Sequence, residues 1–308
     1  MKIAVTANLF VNYPDARRVS EGDSESTILF VLESLRNLGF TARFFEGDLE
    51  LVTKLREYSP SLVFNMCEGY IGAGRELLVP AVLEAMEIKQ TGSNSIVTAS
   101  TMDKYMAKVL AGIKTPVAVK ITSESELDST QYNFPLLVKP LWEGSSIGID
   151  SRSCVSNLSE LRSVVSRSIS EYNQPALVEE YISGPDITVG ILWGHALPVC
   201  FVRSSENIFS SELTAESDFG VYEKAPADIS ERVYDMGRQV YERLGLRGFV
   251  RVDFKLREDT GEIFFLEVNA FPQISPDRSY FAWAYDQLGL DYSEFISDVI
   301  SPVLGAAA

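Results

Sequence analysis

The sequence predicts an α/β protein of three domains: an open α/β amino-terminal domain followed by two α+β units. Three observations carry that expectation. Strand-like and helix-like runs alternate over residues 1–95, an α+β pattern with a Gly/Ser loop continues to about residue 182, and two apolar strands close on Asp259-Thr260-Gly261 near the carboxyl end. The chain divides at 1–95, 96–182 and 183–308, and 308 residues suffice for several cores of ordinary size.

In order, KIAVTA opens as a strand, residues 26–39 have helical spacing, TARFFE is a strand, 49–58 a helix, 61–69 a strand and 76–87 a helix. This alternation implies a parallel sheet with ligand loops at the carboxyl ends of its strands, where Glu68 and Gly69 follow the third. The loop at 8–24 is long and polar, with Arg17, Arg18, Glu21 and Asp23; it is either functional or a mobile surface loop. One helix is expected over 96–112, carrying Asp103 and Lys104, and Pro116 marks the next boundary. A strand at PLLVKP, a loop at 142–149, a helix over 158–172 and a strand at PALVEEYI complete the second unit. The third begins with a hairpin over 186–203. A helix with apolar positions Ile229, Val233, Met236, Val240 and Leu244 should then cover the apolar face of the last hairpin. The final helix, from about residue 291, is expected to fray at Pro302 and the terminal alanines.

A net charge of −16 and a pI near 4.6 argue against non-specific binding to nucleic acid or anionic membrane, which needs basic patches. Three widely spaced cysteines suggest neither a disulfide framework nor a zinc site, and a reducing, cytoplasmic setting is expected. The amino terminus reads as a strand rather than a signal peptide, and no apolar run reaches membrane-spanning length. His195 is the single histidine and falls at a hairpin turn, which argues against histidine catalysis.

The last hairpin bears the most specific pattern. If position 258 faces 262, then Val252 faces Val268, Phe254 faces Leu266 and Leu256 faces Phe264, an apolar face. The other face sets Arg251 opposite Asn269 and Asp253 opposite Glu267. Facing acids repel. A hard cation with oxygen ligands, Mg²⁺ above all, would hold them, and Arg251 would suit phosphate or an oxyanion. A solvated face on which Arg251 neutralises the acids is the alternative. Lys139, at the end of a strand and followed by the small-residue loop Glu143-Gly144-Ser145-Ser146-Ile147-Gly148, offers a point charge and closely approachable N–H groups to nucleotide phosphates, without being a Walker A motif. Glu179, Glu180, Tyr181 and Ile182 offer acceptors and a flat wall to a purine.

Taken in order, MDK at 102–104, LLVKP at 136–140, EGSSIGI at 143–149, LVEEYISGPDITVGIL at 177–192, GFVRVDF at 248–254 and FFLEVNAFP at 264–272 resemble the ATP-grasp superfamily, and within it the D-alanine:D-alanine ligase branch. The likeness covers almost the whole chain. It implies an ADP-forming ligase that activates an amino-acid carboxylate as an acyl phosphate and joins it to an amine, in a homodimer. It makes Lys104 and Lys139 phosphate ligands, Glu179 the acceptor of the adenine amino group with Glu180, Tyr181 and Ile182 at the same edge, and Asp186 a ribose ligand. Asp253, Glu267 and Asn269 become ligands of two Mg²⁺ ions, Ser145 and Ser146 cover the γ-phosphate, Arg251 stabilises the oxyanion, and Glu76 is a substrate-side acid. The chain departs from the branch in having Thr214-Ala215 where a lid Lys-Tyr pair is expected, with only Lys224 later, and Gln273 in place of a glycine. Arg278 is therefore expected to be a carboxylate-holding cation, and Tyr280 and Phe281 an aromatic wall, favouring an acceptor larger than alanine. The alternatives are a cell-wall D-alanine:D-alanine ligase with a divergent lid and a catalytically silent ATP-binding protein, the latter disfavoured by the intact Arg251 set.

Overall fold

A computed structural model describes residues 1–129, 131–203 and 221–305. Strands β1 (Lys2–Ala7), β2 (Thr41–Glu46), β3 (Leu62–Asn65) and β4 (Lys89–Gln90) form a parallel sheet in the order β2-β1-β3-β4. β1 is central because its apolar run can be covered on both faces, and every residue after Lys2 is buried. Helix α1 (Glu25–Asn37) packs Ile28, Val31 and Leu35 against Ile3 and Val5, while α2 (Leu51–Tyr58) and α3 (Leu78–Ala85) cover the side carrying Ala4 and Val63.

The helix expected over 96–112 is two helices, α4 (Ser95–Met102) and α5 (Lys104–Ala111). Asp103 separates them with extended backbone, and its carboxylate accepts from the Met106 N–H at 2.9 Å as an N-cap. The break places Lys104 at the first position of a new helix.

Strands β5 (Ala118–Ile121), β6 (Leu136–Pro140), β7 (Cys154–Val155) and β8 (Ala176–Glu180) make an antiparallel sheet in the order β5-β8-β6-β7, backed by α6 (Leu158–Tyr172). The third sheet contains β9 (Asp186–Leu192), β10 (His195–Ala196), β11 (Cys200–Arg203), β12 (Val221–Lys224), β13 (Phe249–Leu256) and β14 (Ile263–Asn269), ordered β12-β11-β9-β13-β14 with β10 on β9. Helix α7 (Ala227–Leu244) lays Ile229, Val233, Val240 and Leu244 on Val250, Val252, Phe254, Phe265 and Val268, as its spacing predicts. α8 (Tyr280–Leu288) and α9 (Ser293–Gly305) join α1 in a core around Phe249. α9 continues through Pro302, because Val303 and Leu304 pack against that core; the terminal alanines lie outside the described residues.

The β13–β14 register corrects the sequence reading on one half of the hairpin. Arg257, not residue 258, pairs with Glu262, so the turn is one residue longer and Phe254 faces Phe265, Lys255 faces Phe264 and Leu256 faces Ile263. A β-bulge at Leu266 then restores the expected pairs: Asp253 with Glu267, Val252 with Val268 and Arg251 with Asn269. Phe264 and Leu266 thereby leave the α7 face, on which Ile263 and Phe265 take their place.

Two glycines test how this sheet joins the first. Gly248 has φ +72°, and a Cβ there would lie 1.9 Å from the Thr91 carbonyl oxygen; Gly261, in the hairpin turn, has φ +67° and open space. Gly261→Ala is predicted to cost about 1–2 kcal/mol, the price of a left-handed L-residue, and Gly248→Ala distinctly more. Urea unfolding midpoints of both variants check this; equal losses would show that the Thr91 contact carries no constraint.

Candidate active site

The cleft between the second and third sheets encloses about 260 Å³, close to the lower end of ordinary ligand pockets. Its cations come from both sides. Lys139, on β6, places Nζ 2.7 Å from Glu179 Oε1, and Lys108, one turn along α5 from Lys104, places its own 3.1 Å from Glu179 Oε2. Lys104 Nζ lies 3.3 Å from Glu267 Oε2 and donates to the Glu143 carbonyl. Because Asp103 breaks the helix, Lys104 starts a turn aimed at this cleft and is 92% buried.

Across the cleft, Asp253 and Glu267 face each other as the alternation predicts, each held by protein cations. Arg251 donates to Asp253 through Nε at 3.0 Å and Nη2 at 3.0 Å, while Thr188 Oγ1 (2.8 Å) and Asn269 Nδ2 (2.8 Å) complete its shell. Burial raises the Glu267 carboxyl, but Lys104, Lys139 and Arg251 outweigh it and hold the group at about 2. The repulsion expected of the bare pair is thus already answered by three cations. Among the described residues no cluster of three or more His, Cys, Asp and Glu side chains is poised for a metal. The oxygen-rich set Asp253, Glu267 and Asn269 on one face nevertheless suits a hard cation.

At the other end, Glu180, Tyr181, Ile182 and Asp186 line the cleft. Asp186 Oδ2 receives Lys255 Nζ at 2.8 Å, and Glu180 is paired with Arg257. The family resemblance implies that Glu179 accepts from an adenine amino group; here it borders the cleft, is 1% exposed and has a lysine beside each of its oxygens. Ser145 and Ser146 adopt left-handed backbone (φ 46° and 57°) on the loop that borders the cleft.

The loop after β1 is tied down rather than free. Glu21 accepts from Arg75 Nη2 at 2.6 Å and from the Gly144 N–H at 3.2 Å, and Arg18 reaches Glu143 at 2.5 Å. A smaller cavity behind the loop is lined by Glu68, Glu76, Lys104, Glu143 and Glu267. Burial, with Glu21 adding to it and Arg75 opposing, raises the Glu76 carboxyl to about 7; burial and the facing Glu21, Glu76 and Asp23 push Glu68 well above the usual carboxylate range.

The expected acceptor wall is corrected. Tyr280 donates to the Pro198 carbonyl at 2.6 Å inside the core, Phe281 is fully buried there, and Arg278 is exposed and does not line the cleft. α8 turns its aromatic residues toward Phe249, so they cannot also face substrate. Gln273 does line the cleft and donates to the Ser20 carbonyl at 2.8 Å. Thr214 and Ala215 lie outside the described residues, and Lys224 is exposed on β12.

This arrangement has relatives. The family model described as D-ala D-ala ligase C-terminus matches residues 120–301. A D-alanine–D-alanine ligase of Aquifex aeolicus is 33% identical over 276 residues, 88% of this chain and 92% of that protein. The chain belongs to the D-alanine–D-alanine ligase family. Among solved structures, the Bacillus anthracis D-alanine–D-alanine ligase complexed with ATP matches with a TM-score of 0.76, 24% identity and coverage of 99% of this chain and 98% of that one. D-alanyl-alanine synthetase A of Vibrio cholerae matches at 0.78 and 18% identity, over 100% and 99%, and both show the shared ATP-grasp fold. The protein is an ATP-dependent, ADP-forming ligase that joins a carboxylate to an amine and makes a dipeptide.

The residues that the sequence reading did not single out here include Lys108, behind the cleft, and Lys255, Thr188, Tyr222 and Leu266 on its lining. Two had a legible signal. Lys108 stands four residues after Lys104 on one helix face, and Lys255 shares the strand face of Arg251 and Asp253. Leu266 depends on the bulge, and Tyr222 on how β12 joins the sheet edge.

Glu267→Gln is predicted to abolish ligation and, contrary to a picture of simple repulsion, to destabilise the metal-free protein by roughly 1–3 kcal/mol at pH 7. Its carboxyl is held below the ordinary 4.5, so its contribution is complete above that pH and disappears as pH falls toward 2. Urea midpoints of both proteins at pH 7 and pH 3 check the sign. A variant as stable as the parent at pH 7 would show that the three cations gain nothing from Glu267.

Proposed function

We infer that the protein makes D-alanyl-D-alanine from two D-alanines with release of ADP and phosphate, within the three-domain division at residues 95 and 182. The observation that carries this reading is the opposition, across one cleft, of Lys104 and Lys139 to the face bearing Arg251, Asp253, Glu267 and Asn269. A terminal phosphoryl group set between them meets cations on one side and oxyanion and metal ligands on the other. The small acceptor fits because the bulky and charged groups expected around it, Tyr280, Phe281 and Arg278, are turned into the core or outward. The curated relative's substrate agrees.

In this reading Lys104 and Lys139 hold phosphate oxygens, Tyr181 and Ile182 flank the adenine, Asp186 meets the ribose and Ser145 and Ser146 cover the phosphates. Glu179 is the buried carboxylate paired with Lys139 at the adenine edge, and Glu76 serves the donor side. Asp253, Glu267 and Asn269 would hold Mg²⁺, which supplies charge neutralisation on the phosphates when bound. Arg251, oriented by Asp253, donates to the oxyanion that forms when the amine attacks the acyl phosphate. A cytoplasmic setting and a homodimer belong to the same reading; no helix among the described residues is long and apolar enough to cross a membrane.

Incubation with ATP, Mg²⁺ and a panel of L- and D-amino acids should give ADP, phosphate and, with the highest kcat/KM, D-alanyl-D-alanine. AMP as the stoichiometric product would end the phosphoryl-transfer reading, and a larger acceptor outrunning D-alanine would end the substrate assignment. Arg251→Lys keeps the charge but loses the fork, and kcat should fall about a hundredfold with the KM for ATP little changed. Steady-state kinetics of that variant decide it; a kcat near the parent's would remove Arg251 from the chemistry.

A further inference from the structure

Lys108 takes part in none of the roles above. It is 96% buried on the inner face of α5, does not line the cleft, and directs Nζ at Glu179 Oε2 (3.1 Å), Thr115 Oγ1 (3.1 Å) and the Phe265 carbonyl (3.3 Å). Glu179 is therefore a bridge between two ammonium groups, one facing ligand and one hidden behind it. The local charge follows by count. Lys104, Lys108 and Lys139 carry three positive charges against two negative ones on Glu179 and Glu267, so the group is left with one net positive charge. Without Lys108 the same group would be neutral, and Glu179 would pair one-to-one with Lys139. Burial pulls Lys108 down to about 8, with Glu179 opposing, so it keeps its proton at neutral pH.

We propose that Lys108 is a positioning residue which, by holding the second oxygen of Glu179, keeps Lys139 from being neutralised and leaves its charge available to the nucleotide phosphates. This rests on the reading that Lys139 meets those phosphates. A buried carboxylate with a single cation would bind it more tightly and cancel its field at the cleft. Lys108 thus acts on a ligand it does not touch.

The test is calorimetric binding of ADP and of adenosine to the full chain. The ratio of the two affinities isolates the phosphate contribution from any adenine contact. Lys139→Met tests the underlying reading: if it leaves the ratio unchanged, Lys139 does not meet phosphate and the premise fails. With that ratio lowered, Lys108→Met should lower it too, by about tenfold, with adenosine affinity unchanged. The double variant Lys108→Met/Glu179→Gln, in which the net charge is restored, should recover most of the loss. A purely structural role for Lys108 would leave the double variant no better than the single one, and that result overturns the proposal. Should Lys108→Met not fold, Glu179→Gln alone decides: it removes the neutralising charge and must keep or raise the ratio, and a fall would refute the proposal.

Discussion

A cleft that receives phosphates has to bury cations before the anion arrives, and burying charge is costly unless it is paired. This constraint orders the site. Lys139 rests on Glu179, Lys104 on Glu267, Arg251 on Asp253 and Lys255 on Asp186, each between 2.7 and 3.3 Å. On the proposed function, these acids stand in for the oxygens of the nucleotide. On the same reading, binding would exchange one set of partners for another instead of desolvating bare charges, and the oxygens of Glu267 and Asp253 would suit a hard metal ion. The Glu267 carboxyl is held low by the cations Lys104, Lys139 and Arg251.

The same kind of pairing ties the first unit to the second. Glu21 and Arg75 come from the first unit and Glu143 from the loop after β6, and all three are buried. Arg75 also donates to the Trp142 carbonyl at 3.0 Å, and Gln174 donates to Glu143 at 2.6 Å. Breaking one partner of such a buried set usually costs about 3–5 kcal/mol. The position of the loop bearing Ser145 and Ser146 is thus set by side chains of the amino-terminal unit, and the polar stretch after β1 is structural as well as polar.

Much of this was legible. Strand alternation identified the three sheets, helical spacing placed α7 on the last hairpin, and the Asp253–Glu267 and Arg251–Asn269 pairs follow from a period of two. What the sequence could not show was decided by packing at a distance. Asp103 reads as an ordinary helix residue until its side chain is seen capping a second helix. Arg278, Tyr280 and Phe281 follow a strand that ends in the cleft, and nothing local says that α8 must turn its aromatic face to Phe249. Glu179 looks like an open acceptor because the lysines that occupy it lie 71 and 40 residues away in sequence.

The hairpin itself shows how narrowly the site is specified. With Arg257 paired to Glu262, an unbroken ladder would set Asp253 opposite Leu266 and Val252 opposite Glu267, and Glu267 and Asn269 would point into the core beneath α7. A one-residue slip exchanges the faces of a strand. The bulge inserts that one residue at Leu266, between the part of the hairpin that must be apolar on the α7 side and the part that must be polar on the cleft side. It also leaves Leu266 on the lining of the cleft beside Glu267. The sequence reading reached the right polar pairs because a turn counted one residue short and an unseen bulge cancel. In the molecule the longer turn and the bulge are a matched pair, and neither change alone would leave two acids, an arginine and an asparagine on one face.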